Sequence, residues 1–123
     1  MTEDELQALL EKSVPERDRY GLFVEDCQDQ EVRIRFSPAT GATWSTPALL
    51  ALLDVSLRAA TGVDAAITHL NVTVLRAAQQ ADVIALSRII RRQGETVHAE
   101  AWLFSHAVVE PMLHATATLQ GES

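Results

Sequence analysis

One carboxylate stands inside the most apolar stretch of the chain: Asp54, in Pro47-Ala48-Leu49-Leu50-Ala51-Leu52-Leu53-Asp54-Val55-Ser56-Leu57. A helix that is apolar on every side is normally buried. Burying a carboxylate without partners costs several kcal/mol or forces it to take up a proton. Asp54 therefore either has a structural partner or works as a base or nucleophile. Arg58, four residues on, is the partner at hand, although an exposed i,i+4 pair is worth only about 0.3–0.5 kcal/mol. Other chemistries leave weaker marks. His69, His98, His106 and His114 show no close metal-ligand spacing with a second His or with Cys, so no metal site is expected. Ser45 and Ser56 lie outside any Gly-x-Ser-x-Gly nucleophile context.

The rest of the chain narrows the class. Its 123 residues suit one compact domain over 1–123, and a hydrophobic share of 47% calls for a packed core. Aromatics are only 5%, so Leu, Val, Ile and Ala must build that core. The net charge of −7 argues against nucleic acid or an anionic membrane as partner, while leaving room for a small anion on a local basic patch. Cys27 is the single cysteine, which excludes an intrachain disulfide and suits a reducing cytoplasm. No signal peptide is read at Met1–Glu5, and no apolar run reaches the roughly 20 residues a bilayer needs.

The elements that must position Asp54 follow from periodicity. From Thr2 to Lys12, Leu6, Leu9 and Leu10 recur at helical spacing behind a Thr2/Glu5 capping box, and Pro15 closes this short N-terminal helix. Tyr20–Cys27 predicts a strand and Asp26–Gln30 a polar turn. In Glu31–Phe36, Val32, Ile34 and Phe36 alternate with Arg33 and Arg35 as in a half-buried strand, and the two strands should pair as a hairpin. Ser37–Trp44, with Pro38 and Gly41, predicts a loop. Ser45 or Thr46 caps the next helix and Pro47 suits its first position; the helix should run to about Ala60, with Gly62 as its stop. Strands are then predicted over Ala65–Arg76, Asp82–Arg92, Thr96–Phe104 and Met112–Leu119, with Gly94 fitting a tight hairpin. Their short connections predict an antiparallel meander. The fold class is α+β: one antiparallel sheet wrapped around one long central helix. At roughly 100° per residue, Leu49, Leu50, Leu53 and Leu57 share the sheet-facing side, while Pro47, Ala51, Asp54 and Arg58 form a separate stripe.

These residues resemble a known family. Trp44-Ser45-Thr46-Pro47-Ala48-Leu49-Leu50-Ala51-Leu52-Leu53-Asp54-Val55 is similar to the start of the central helix in PaaI-type acyl-CoA thioesterases of the hotdog fold. Thr68–Arg76, Asp82–Gly94 and Pro111–Leu119 resemble the strands that follow, so the likeness covers roughly Glu31 to Leu119. The resemblance implies hydrolysis of an acyl-CoA thioester at a dimer interface, with no cofactor. Thioester hydrolysis needs an oxyanion donor and a base or nucleophile. The family places the donor at Thr46, where the helix N-terminus offers a backbone N–H and its dipole; Pro47 has no N–H to share. Asp54 supplies the base or nucleophile. Two helical turns, roughly 12 Å, separate them. One carbonyl can touch both only if they come from different protomers of a homodimer or a dimer of dimers.

The remaining substrate-binding candidates each carry two readings. Arg91 and Arg92 could hold CoA phosphates or simply be solvated strand ends. Trp44 could line an acyl or aromatic pocket or pack in the core. Ser45 could be a cap or a pocket wall, and Asn71 a pocket amide or a solvent-facing strand residue. Two departures from the family pattern, Thr46 in place of its glycine and no loop amide near Ala39, favour an alternative. That alternative is a non-catalytic hotdog domain binding an acyl or aromatic thioester.

Overall fold

The structure, a computed structural model, describes residues 2–15, 19–38, 44–77, 81–105 and 111–121. Helix α1 (Glu3–Ser13) is followed by β1 (Phe23–Cys27), β2 (Glu31–Phe36) and helix α2 (Thr46–Thr61). Four strands complete it: β3 (Ala66–Val74), β4 (Val83–Gln93), β5 (Thr96–Ser105) and β6 (Pro111–Gln120). The expected capping box of Thr2 with Glu5 closes the N-terminus of α1. Ser45 is the N-cap of α2, Pro47 lies in its first turn and Gly62 is its C-cap. β1 begins later than the sequence predicts, because Tyr20 (φ 47°) and Gly21 (φ 63°) form a turn before it.

All six strands make one antiparallel sheet in the order β1-β2-β4-β5-β6-β3. Only β4, β5 and β6 follow one another as a meander. The simple four-strand meander expected from the sequence is corrected at β3, which pairs with β6 rather than β4. The reason is α2. It packs over β2, β4, β5 and β6, so the chain that leaves it comes down at the far edge of the sheet.

The core lies between α2 and the sheet. Leu52, Leu53 and Leu57 of α2 are fully buried against Ile34, Phe36, Val83, Ala99, Ala101 and Leu103. Each buried leucine contributes roughly 1.5–3 kcal/mol. A polar contact fixes the helix on the sheet: the buried Ser87 hydroxyl donates to the Ser56 carbonyl at 2.7 Å. Leu50 is the exception to the expected buried face, being 38% exposed.

The two sheet edges differ. At β1, Gln7 of α1 accepts from the Val24 N–H (2.7 Å) and donates to the Leu22 carbonyl (3.0 Å), so side chains from α1 occupy that edge. At β3 no described strand lies on the side away from β6, and Leu70, Val74 and Leu75 are exposed.

Candidate active site

Four backbone N–H positions open a helix without intrahelical partners. In α2 their fates differ. The Ala48 N–H donates to Ser45 Oγ (3.3 Å), and the Leu49 N–H begins the intrahelical ladder by bonding the Ser45 carbonyl (3.0 Å). Pro47 has none. Thr46 is exposed, and among the described residues its N–H, like that of the cap Ser45, has no partner. Ser45 is committed to capping. Trp44 is buried; its indole N–H donates to the Ala81 carbonyl at 2.8 Å, and its ring lies 5.4 Å from that of Tyr20. Both side chains thus hold the start of α2 in place.

Asp54 is not buried, contrary to the expectation drawn from its apolar run. Its side chain is 46% exposed, on the stripe with Pro47, Ala51 and Arg58 that faces away from the sheet. The apolar residues around it include Leu50, which is exposed on the same side of the helix, so the run is not buried all round. Asp54 Oδ2 accepts from Arg58 Nη2 at 2.8 Å. No described group bonds Oδ1.

The other candidates lie apart. Asn71 stands opposite Thr116, which stands opposite Glu100, on the sheet face turned away from α2. Arg91 pairs with His98 on that same outer face, whereas Arg92 pairs with Val97, which is buried on the helix side. The two arginines therefore project to opposite sides of the sheet. Both lie beyond the Ser87–Ser56 contact, past the C-terminal half of α2 and far from Thr46. Arg76, whose N–H bonds the Met112 carbonyl, lies at the other end of β6. Within one chain the fold does not bring Thr46, Asn71, Arg91 and Arg92 together. The loop position near Ala39 and His106 fall outside the described residues.

The strongest polar cluster is one the sequence reading did not single out. On the outer face, Glu100 accepts from Arg88 Nε at 2.5 Å, and its second oxygen lies 3.1 Å from His114 Nε2. The His114 ring stacks on Trp102 at 3.9 Å. Burial pushes the Glu100 carboxyl up, but the hydrogen bonds from His114 and Arg88, with the Arg88 charge, outweigh it and hold the group below its ordinary range. Alternation along β5 could have placed Glu100 and Trp102 together, but not their partners on β4 and β6. Of the other histidines, His69 is exposed and His98 Nδ1 lies 3.4 Å from Thr118 Oγ1. No group of three potential metal ligands occurs among the described residues. At the C-terminal end of α2, Cys27, Asp29, Val32 and Thr61 line an open cleft of about 220 Å3; burial pushes the Cys27 thiol up. Among the described residues, no helix is long and apolar enough to cross a membrane.

No protein-family model matches the chain, and neither does any curated protein. Solved structures do match. A protein from Silicibacter sp., provisionally named a thioesterase, superposes with a TM-score of 0.79 at 20% identity, covering 98% of this chain and 91% of that one. Thioesterase superfamily member 2 of zebra fish gives 0.79 at 14% identity, covering 98% and 95%. A hypothetical thioesterase from Streptococcus pneumoniae, solved with coenzyme A, gives 0.71 at 13% identity, covering 82% and 88%. The chain has the hotdog fold of these thioesterase-superfamily structures, as its central helix and following strands led one to expect.

Proposed function

We propose that the chain is an acyl-CoA thioesterase acting as a single-domain homodimer, or a dimer of dimers, in the cytoplasm. The observation that carries the reading is a pair of unclaimed groups on the exposed parts of α2: a donor at its start, the Thr46 N–H, and a carboxylate oxygen two turns on, Asp54 Oδ1. Thr46 would hold the thioester oxyanion. Asp54 would take a proton from the attacking water and pass it to the thiolate as the C–S bond breaks; or it would attack the carbonyl carbon itself, forming a mixed anhydride and expelling the thiolate. A water would then hydrolyse the anhydride, freeing the acid and Asp54 while its proton goes to the thiolate. Eight residues of helix, about 12 Å, keep the two apart in one chain.

A second copy beside β3 would complete this arrangement. No described strand pairs with the outer side of β3, and Leu70, Val74 and Leu75 expose apolar surface there. A two-fold axis at that edge would run the two copies of α2 antiparallel, setting the start of one against the later half of the other. Arg92, exposed past the C-terminal end of α2, would approach the partner's helix start, where CoA phosphates could lie. The pneumococcal structure, which holds coenzyme A, supports that ligand class.

One observation favours the alternative, a hotdog domain that binds an acyl or aromatic thioester without hydrolysing it: Asp54 already has an ion-pair partner in Arg58. Thiol release separates the two. Wild type and Asp54→Ala are assayed on acetyl- to palmitoyl-CoA, phenylacetyl-CoA and hydroxybenzoyl-CoA. Turnover that Asp54→Ala abolishes supports the enzyme; a folded oligomer silent on every substrate supports the binding module.

A further inference from the structure

What holds the arginine sets the Asp54–Arg58 pair apart from an ordinary surface pair. Arg58 Nη1 donates to the Val63 carbonyl at 3.3 Å, in the turn after α2. Arg58 Nε is buried without a hydrogen-bond partner. The side chain also lines a cavity of about 10 Å3, together with Leu10 and Ser13 of α1, its C-cap Val14, and Val55 and Val63. A space of that size holds one water at most. Arg58 is the less exposed partner, at 31% against 46% for Asp54. The guanidinium is thus packed against α1 and tied to the chain beyond α2, besides reaching the carboxylate. An exposed ion pair loses most of its worth to side-chain entropy; here packing has already restricted the cation.

We propose that Arg58 is the positioning residue of the hydrolytic site. Pinned by Val63 and by α1, it takes Asp54 Oδ2 and leaves Oδ1 as the single oxygen able to act on the water or the thioester carbon. The inference rests on the thioesterase reading above. It gives α1 a role as well: the helix lies outside the sheet, yet its Leu10 and Ser13, with the C-cap Val14, form part of the wall that confines the arginine. It also orders the possible replacements. Lysine keeps the charge but, as a single point donor, lacks the rigid fork that bonds Val63 and Asp54 together. Glutamine keeps much of the length and loses the charge.

The test is steady-state kinetics on an acyl-CoA that wild type turns over, with Arg58→Gln, Arg58→Lys and Asp54→Asn, alongside thermal midpoints and light scattering. Arg58→Gln is expected to lower kcat by about 10- to 100-fold, as misplacing a reacting group does, with KM within about twofold and the oligomer intact. Arg58→Lys should recover part of that loss and remain clearly below wild type. If Asp54→Asn is inactive while Arg58→Gln keeps wild-type kcat, the positioning role is wrong and the thioesterase reading stands. A rise in KM alone for Arg58→Gln would make the arginine a substrate contact and overturn the proposal. Should Arg58→Gln unfold or dissociate, the lysine variant decides: a folded oligomer with reduced kcat supports positioning, and full kcat overturns it. Full activity of Asp54→Asn removes the reading on which all of this rests.

Discussion

Asp54 and Glu100 each meet an arginine at hydrogen-bond distance, yet the fold leaves them in opposite conditions. Glu100 is only 9% exposed, and both its oxygens are engaged, one by Arg88 and one by His114. Asp54 is half exposed, and one of its oxygens is engaged. The Glu100 carboxyl is also held below its ordinary range. Perturbed groups cluster at functional sites, but ion-pair networks perturb them too. A buried carboxylate with a cationic donor on each oxygen leaves little room for a water; one with a spare oxygen on an open helix face has it. The difference teaches that unclaimed hydrogen-bonding capacity, more than burial, separates the candidate base from the structural anchor.

The sharpest way to break the comparison is to neutralise each carboxylate. Asp54→Asn should cut kcat on acyl-CoA by at least about 100-fold, the usual scale for losing a general base. Glu100→Gln should leave kcat within about threefold. Inactive Glu100→Gln beside active Asp54→Asn would reverse the two assignments. A second test removes the neighbour that the Asp54 site needs and Glu100 does not. Leu70→Asp combined with Val74→Asp should turn the oligomer into folded monomers by light scattering and abolish turnover, because charges on an edge oppose strand pairing. Active monomers would refute the shared site.

Stability should show the reverse ranking. Glu100→Ala leaves Arg88 and His114 without their acceptor and should lower unfolding stability by roughly 1–3 kcal/mol in denaturant titration. Asp54→Ala should cost less than about 1 kcal/mol, as for other exposed pairs. The pH dependence follows from the lowered Glu100 value. Its stabilisation is fully present above the ordinary Glu value of 4.5 and is lost as pH falls through the lower folded value. Glu100→Gln should therefore flatten the acid limb of the stability curve, measured by thermal midpoints between about pH 5 and 2. The smallest effect separates two adjacent arginines. Charge reversal at Arg92, on the helix side of the sheet, should raise KM for acyl-CoA several-fold, while reversal at Arg91, on the outer face, should leave it unchanged; a thioester without CoA phosphates should respond to neither.

Much of this architecture was legible in the residue order, for local reasons. The Thr2/Glu5 box, the Ser45 cap with Pro47, the stop at Gly62 and the turn at Gly94 each mark an element end by a hydrogen bond or a dihedral that few residues supply. Alternation in Glu31–Phe36 gave both the strand and its buried face. What escaped is non-local. The landing of β3 beside β6 depends on where α2 crosses the sheet, and no residue in β3 encodes that. Register escaped too. The pairing Gln93 with Thr96, followed backwards, would set Arg88 opposite Ala101; the irregularity between Ile89 and Arg91 shifts it to Glu100 and so creates the Arg88–Glu100–His114 cluster. The candidate site was half legible. Asp54 stood out by type and place and Thr46 by the family resemblance, but the sequence made Asp54 look buried, because it could not show that Leu50 and the polar stripe face outward.

Complementation between protomers tests the shared site most directly. Thr46→Pro removes the spare N–H at a position where proline is tolerated, since Ser45 before it is already extended (φ −85°, ψ 160°). Thr46→Pro and Asp54→Asn should each be inactive alone. Unfolded together and refolded as an equal mixture, half of the dimers should be hybrids with one intact site of two, restoring about a quarter of wild-type turnover. A mixture shown to contain hybrid dimers that stays silent, or a Thr46→Pro protein that is fully active alone, would contradict a site shared between Thr46 of one protomer and Asp54 of the other.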